Sequence, residues 1–449
     1  DEAKVKLLAM QSGTPESPQC WVALMNVLSQ LTLAERSYFS FSFLLPKGFL
    51  RKECALRSSY KAILCELLRI PEMSVSVPRQ SDASAPVLQA SVSFSRENSL
   101  EPQAAVVLET KARPAGSNLF QHLTEQFHAY VLARIDLMNC YESLSVLALA
   151  KWPSMCEVLQ LLGDTQGRHS GAFTHPLLSP LDSAFVSECE VLSHLARAHV
   201  SIGELQFVPS LISLQQAQTS LSQWAGSVAP LQQQQTSWFS LGSASAQTHT
   251  QPILCQWLRK YYDALVSKFT LYFLDVLSRQ DTPNNFNRIH AAGKITNVVL
   301  QRIQTFQKRS DVSHICIILD TRTMASFKGL GYQHPEREFQ AKDGLDSFPI
   351  VVSFPQNAHH KPTSHLPALI MILSNNFDTL AQSHRTLFFP DTKTEVSYFL
   401  SRIEGSLYLA LIFNSKKSEK DSHINAFCQD ICQELRCTPI FASLKAAAK

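Results

Sequence analysis

The 449-residue chain is 45% hydrophobic and 17% charged, a globular composition with a lower charge density than usual, and it is long enough for two or three domains with cores of their own. A net charge of +3 gives no ground for a nucleic-acid partner. Only 14 glycines, well under the roughly 7% norm, argue against a barrel or a turn-rich sandwich.

The eleven cysteines are an odd count, several sit on apolar helical faces, and no signal peptide opens the chain; together these predict a reducing compartment rather than a disulfide framework. The first residue is Asp1, with no initiator methionine, so some amino-terminal sequence is expected to be missing. No apolar run approaches the ~18 residues that cross a bilayer. Any membrane residence is therefore expected to come through partners.

Apolar spacing through Trp21, Leu24, Val27, Leu28 and Leu31 predicts a helix over 20–45, stopped by Pro46. A second helix over 50–70 is closed by Pro71. Residues 74–116 shift to Ser, Pro, Ala and Gln without sustained period, which predicts a disordered insert; a short alternation at 87–94 within it has strand character. Helices resume at 118–150 and, after Pro153, over SMCEVLQLLG, which Gly163 ends. Residues 167–180 form a loop, with Ser179 as cap and Pro180 as first residue of a helix running to about 202. Another helix covers 207–224, followed by a Gln/Ser-rich linker at 229–250.

The dominant element is 252–279, where Leu254, Trp257, Leu258, Tyr261, Leu265, Phe269, Tyr272 and Val276 recur at steps of three and four. That stripe predicts one long helix, the spine of the bundle. Arg259, Lys260, Asp263, Ser267 and Thr270 fall mostly on its other side. Residues 280–287 form a polar break and 294–308 a helix. From about residue 311 the period becomes that of strands: 314–319, 350–354, 368–373, 387–389, 396–400 and 407–413. A helix over 418–435 closes the series. The fold class is thus α+β in two parts: a helical bundle over 1–287, then an α+β sandwich over 288–449 whose order fits a profilin-like or roadblock-like arrangement.

No catalytic or metal constellation rises above background. Asp320 ends a buried strand, where phosphotransferases of the haloacid-dehalogenase type place a nucleophile, but their second Asp is replaced here by Arg322. A strand-end cap is the simpler reading of Asp320. Gly329-Leu330-Gly331 lacks the third glycine of a dinucleotide fingerprint and reads as a loop with positive φ. His334, His359, His360 and His365 lie in polar loops, and Cys428 and Cys432 share one helical face with Phe427 and Ile431 beside them, so neither group predicts a metal. The loop 415–423 carries Lys416, Lys417 and Lys420. It reads either as a basic partner-docking edge or as a solvated turn in which Ser418 caps the helix and Asp421 lies in its first turn.

Six segments in order, HPLLSPLDSAF (175–185), FVPSLISL (207–214), KFTLYFLDVLSRQ (268–280), GLGYQHP (329–335), SKKSEKDSH (415–423) and FASLK (441–445), resemble the KICSTOR complex subunit 2 family. The resemblance spans about 21–445, with departures mainly in the amino-terminal third. It implies a helical bundle followed by a small α+β domain, no catalytic site and no cofactor. It further implies a scaffold that helps hold the GATOR GTPase-activating complex at the lysosomal surface and restrains the target-of-rapamycin kinase when amino acids are scarce. The partners it implies are kaptin, the integrin-alpha FG-GAP repeat subunit and the large seizure-threshold subunit. The competing classes are a phosphatase or nucleotide-binding enzyme using the Asp320 strand end, and a longin-like trafficking adaptor.

Overall fold

The computed structural model describes residues 18–44, 55–75, 119–150, 154–228, 252–280, 298–324, 327–333, 343–356, 362–382 and 385–446. Successive helices α1 (Pro18–Phe39), α2 (Ala55–Val75), α3 (Leu119–Leu147), α4 (Met155–His169), α5 (Ser179–Gly203), α6 (Phe207–Val228) and α7 (Ile253–Tyr272) each lie against the next, except that α5 touches both α6 and α7. Because α5 meets neighbours on several sides, its buried surface extends from Phe185, Leu192 and Leu195 round to Val191 and Ala198. On α7 every large residue of the expected stripe from Leu254 to Tyr272 is buried.

Helix ends depart from the sequence expectation in several places. α1 stops at Phe39, well before Pro46, because Phe41 adopts a left-handed φ of 56° that carries its ring to Tyr141 and Trp257. α2 continues past Pro71 to Val75; so near the helix end, the missing N–H forfeits one ladder bond. α4 runs through Gly163 to His169, since Thr165 and His169 extend the buried face of Val158 and Leu162. At α5 the cap position is Leu178, and Ser179 is already helical. The spine is not one helix to 279: it turns at Phe273 and resumes as α8 (Leu274–Gln280). A straight helix would point Phe273 and Leu274 about 100° apart, and the turn buries both.

The second part begins with α9 (Val298–Arg309) and continues β1 (His314–Leu319), β2 (Ile350–Phe354), α10 (Leu366–Asn375), α11 (Phe377–Gln382), β3 (Leu387–Asp391), β4 (Val396–Glu404), β5 (Leu407–Phe413), α12 (Ser422–Leu435) and α13 (Thr438–Ala446). The five strands form one sheet in the order β2-β1-β5-β4-β3, antiparallel throughout. The expected strand at 368–373 is instead α10. Pro367 suits a first helical turn, and only Leu369, Ile372 and Leu373 turn inward, at helical spacing, while Met371 stays exposed.

Strand alternation divides the sheet into two apolar faces. Cys316, Ile318, Leu400, Tyr408, Ala410 and Ile412 pack with Leu369, Ile372, Leu373 and Leu380 of α10 and α11. Ile315, Ile317, Leu319, Leu407, Leu409 and Leu411 face the other way, into the core that contains α12, α13, α7 and the rest of the bundle. The apolar core therefore runs without interruption from helices to sheet. The expected boundary at 287/288, the 229–250 linker, the 87–94 strand and most of the 74–116 insert lie outside the described residues; Ser74 and Val75 belong to α2.

Trp257 and Phe269 are 2% and 5% exposed at the centre of this core. Trp257→Ala or Phe269→Ala should each cost about 3–5 kcal/mol, measured as a shift of the denaturant midpoint with the slope unchanged. A loss under about 1 kcal/mol would show that α7 is not the core element.

Candidate interaction surface

The strongest polar chemistry is internal. Arg134 of α3, 1% exposed, is paired with Glu188 of α5 and with Glu35 of α1, the latter at 3.0 Å. Glu188 accepts from the hydroxyls of Tyr38 at 2.7 Å and Tyr141 at 2.9 Å, and Glu35 accepts from Tyr60 of α2 at 2.8 Å. Burial alone would lower the Arg134 pKa, but Glu35, Tyr130 and Glu188 outweigh it and hold the charge. Burial, helped by Glu188, pushes the Tyr38 and Tyr141 hydroxyls well above their ordinary range, so both stay protonated donors. Four helices are tied by this one cluster.

A second buried charge joins the two parts of the fold. Lys268 of α7, 1% exposed, pairs with Glu404 at the end of β4 at 2.6 Å, and Tyr272 donates to the same carboxylate at 3.0 Å. Trp257 Nε1 donates to the Ile440 carbonyl of α13 at 2.9 Å. Sequence reading missed Arg134, Glu188 and Lys268. The signal was there: each is a charge set among apolar residues three and four positions away, on a face that periodicity buries.

Of the sequence-predicted positions, Asp320 is buried as the cap of a 3₁₀ turn. It accepts from Arg322 N at 3.1 Å, Nε at 2.9 Å and Nη2 at 2.8 Å, so both carboxylate oxygens are engaged. Gly329 and Gly331 have φ of 122° and 88°, and a Cβ on Gly331 would lie 2.6 Å from Val276 Cγ2, which explains the glycine there. His365 meets the Tyr398 hydroxyl at 3.0 Å, whereas His334, His359 and His360 lie outside the described residues. Cys428 and Cys432 are buried on one face of α12, and burial pushes the Cys432 thiol up to about 12. Among the described residues no cluster of three metal-ligating side chains occurs. No described helix is long and apolar enough to cross a membrane.

The lysine loop is ordered from both sides. Lys417 N donates to Ser397 Oγ at 2.9 Å, and its ammonium pairs with Asp311 at 2.7 Å while lying over the Phe413 ring. Lys416 is 73% exposed and pairs across the surface with Glu395; Lys420 is exposed as well. The cap of α12 is Asp421, which accepts from His423 N and Ile424 N, while Ser418 supports only the turn before it through Lys420 N. A carboxylate at that end, facing the helix dipole, explains why Asp421 rather than Ser418 holds the cap.

Three segments distant in sequence converge beside the spine. Phe207 at the start of α6 stacks with Phe269 and meets Phe273 edge to face, and Gly331 lies against Val276. A cavity of about 330 Å³ opens there, lined by 204–209 and by Lys328, Gly329, Gly331 and Gln333. Beside it, Leu211 and Ile212 of α6 are exposed apolar residues.

The class so defined is a two-part α+β protein, a helical bundle continued into a five-stranded antiparallel sheet, with its innermost charges engaged in joining elements. The family model described as KICSTOR complex C12orf66 like matches residues 1–97 and 102–449. Proteins named KICSTOR subunit 2 from Xenopus laevis and Danio rerio are each 30% identical to it, over 454 and 453 residues, covering 100% of this chain and 93% of theirs. The chain belongs to this family.

Two outcomes test the buried charges. Arg134→Met leaves Glu188, 0% exposed, without its cation, and should cost about 3–5 kcal/mol in a denaturant melt. His199, which shares a hydrogen bond of 3.0 Å with Tyr261, is held neutral: burial and then the Lys268 charge pull its pKa well below the usual imidazole value. Because the unfolded chain binds the proton first, the stability linked to His199 is complete above about pH 6.5 and is lost as pH falls from there toward the lowered folded value. Melting temperature should thus fall between about pH 7.5 and about pH 5.5, and His199→Gln should flatten that decline.

Proposed function

We propose that this chain, like the relatives named KICSTOR subunit 2, is a subunit of a KICSTOR complex and acts in it as a non-enzymatic scaffold. The observation that carries the reading is a match to that family along nearly the whole chain. In this role it helps tether the GATOR GTPase-activating complex to the cytosolic face of the lysosome, and so restrains target-of-rapamycin signalling when amino acids are scarce. Its direct partners are other subunits of the complex, among them kaptin, the integrin-alpha FG-GAP repeat subunit and the large seizure-threshold subunit. It reaches the membrane through them.

A docking edge for one such partner is the loop of Lys416, Lys417 and Lys420. Lys417 anchors the loop on Asp311, leaving the exposed heads of Lys416 and Lys420 at a fixed backbone. The enzymatic alternative is weakened by the engagement of both Asp320 oxygens with Arg322.

Recovery of kaptin and the other subunits with tagged wild-type chain from cells is the direct test; none recovered would overturn the reading. Replacing Lys416 and Lys420 by Ser should leave stability within about 0.5 kcal/mol while partner recovery weakens, the more so as salt rises. Asp320→Asn should leave recovery unchanged, and phosphatase turnover by the wild type that disappears in this variant would replace the scaffold with an enzyme.

A further inference from the structure

The loop between β5 and α12 holds a serine on which the fold does not depend. Ser418 is exposed and lies in 416–418, which form neither helix nor strand. Its Oγ accepts from Lys420 N at 3.2 Å, and its carbonyl accepts from Asp421 N at 3.1 Å. The cap of α12 falls instead to Asp421, whose Oδ1 accepts from His423 N and Ile424 N. A group added to the Ser418 hydroxyl would stand in water and break no buried contact.

The charges on either side of Ser418 differ in how far they are already engaged. Before it, Lys417 is 21% exposed with its ammonium on Asp311 at 2.7 Å, and Lys416 pairs with Glu395 at 2.9 Å. After it, Glu419 is exposed and enters no ion pair among the described residues; the same holds for Lys420. Asp421 uses Oδ1 for the cap, which leaves Oδ2 outside the cap bonds. A protein approaching Ser418 thus meets carboxylates at the first and third positions beyond it, while the cations before it are neutralised. That is the charge pattern by which acid-directed serine kinases select substrates.

We propose that Ser418 is the acceptor of an acid-directed, ATP-dependent serine kinase, and that its phosphorylation switches the lysine loop off as a docking edge. In the transfer Ser418 Oγ bonds to the γ-phosphorus of ATP as the bond to the β,γ-bridging oxygen breaks. The hydroxyl proton passes to the kinase base and ADP leaves. Residues 415–423 carry Lys416, Lys417 and Lys420 against Glu419 and Asp421, a small positive excess. A phosphate of about −1.5 to −2 charge reverses that sign. Its oxygens also compete for the Lys416 and Lys420 ammonium groups, the heads a partner would otherwise meet. Because the new charge stands before the first turn of α12, the helix dipole favours it and the fold tolerates the modification. The loss of docking rests on the function proposed above; the acceptance of phosphate by Ser418 does not.

The test uses the full chain, with casein kinase 2 as the acid-directed probe and protein kinase C as a base-directed one. With ATP, the first should place a phosphoryl group on the peptide that carries Ser418, read by mass spectrometry, and leave the melting temperature unchanged. Ser418→Ala should abolish incorporation at that peptide. Glu419→Gln combined with Asp421→Asn should slow it about tenfold with the fold intact, since Asn caps a helix as well as Asp. The same phosphopeptide should be found in chain isolated from cells treated with phosphatase inhibitors. Phosphorylated wild type should recover complex subunits about tenfold less well than untreated chain, whereas kinase-treated Ser418→Ala should recover them as before. No phosphate on Ser418 with the acid-directed kinase or in cells, or faster modification by the base-directed one, overturns the site. Equal recovery with and without phosphate overturns the switch. Failure of untreated wild type to recover any subunit strikes the function proposed above instead, and the phosphopeptide still decides the site.

Discussion

Lys268 and Glu404 are separated by 136 residues and meet at 2.6 Å with the lysine almost wholly hidden from water. A buried ion pair adds little net stability over a well-packed apolar pair, yet removing one member leaves a charge that nothing compensates. The consequence is positional. Glu404 ends β4 beside the turn into β5, so the pair fixes the rotation of α7 about its axis relative to that corner of the sheet. Trp257, one face of the same helix further back, fixes the other end through the Ile440 carbonyl. With α7 clamped at two points, α5 and α6 on one side and α9 and α13 on the other take their places against it.

The Arg134 cluster does for the amino-terminal helices what Lys268 does for the junction. An arginine suits the task because its guanidinium can serve two carboxylates at once while lying over a ring, here Tyr38 at 4.6 Å. The tyrosines around it donate to the same carboxylates, so each buried acceptor has more than one donor. The geometry of such a cluster is unforgiving, and it specifies one arrangement of α1, α2, α3 and α5 where apolar packing alone would tolerate several.

Much of this was legible in the chain itself. The α7 stripe from Leu254 to Tyr272 and the continuous apolar runs of β1 and β5 read directly, because residues buried on one or both faces leave a period that nothing else imitates. The helix α10 was misread as a strand since Ala368, Leu369, Ile370, Met371, Ile372 and Leu373 make an unbroken apolar run, and such a run has no period to separate the two. The break at Phe273 was invisible for a different reason: no proline or glycine marks it, and only tertiary packing of Phe273 and Leu274 demands it. Buried charges were the largest omission. Periodicity marks the face that carries Lys268 as buried, but its partner Glu404 can be found only in three dimensions. The lysine loop lies at the other extreme, because basic residues in a polar loop invite attention from the sequence alone.

The sheet itself limits how the protein can meet others. Helices cover both of its faces, since α10 and α11 close one and α12 with the bundle closes the other. β2 and β3 are its two edges, and on β3 Pro390 supplies no N–H for a further strand, a device that blunts open sheet edges against pairing. Strand addition along β3 is thereby disfavoured. The lysine loop, by contrast, presents side chains on a backbone pinned by Ser397 and Asp311.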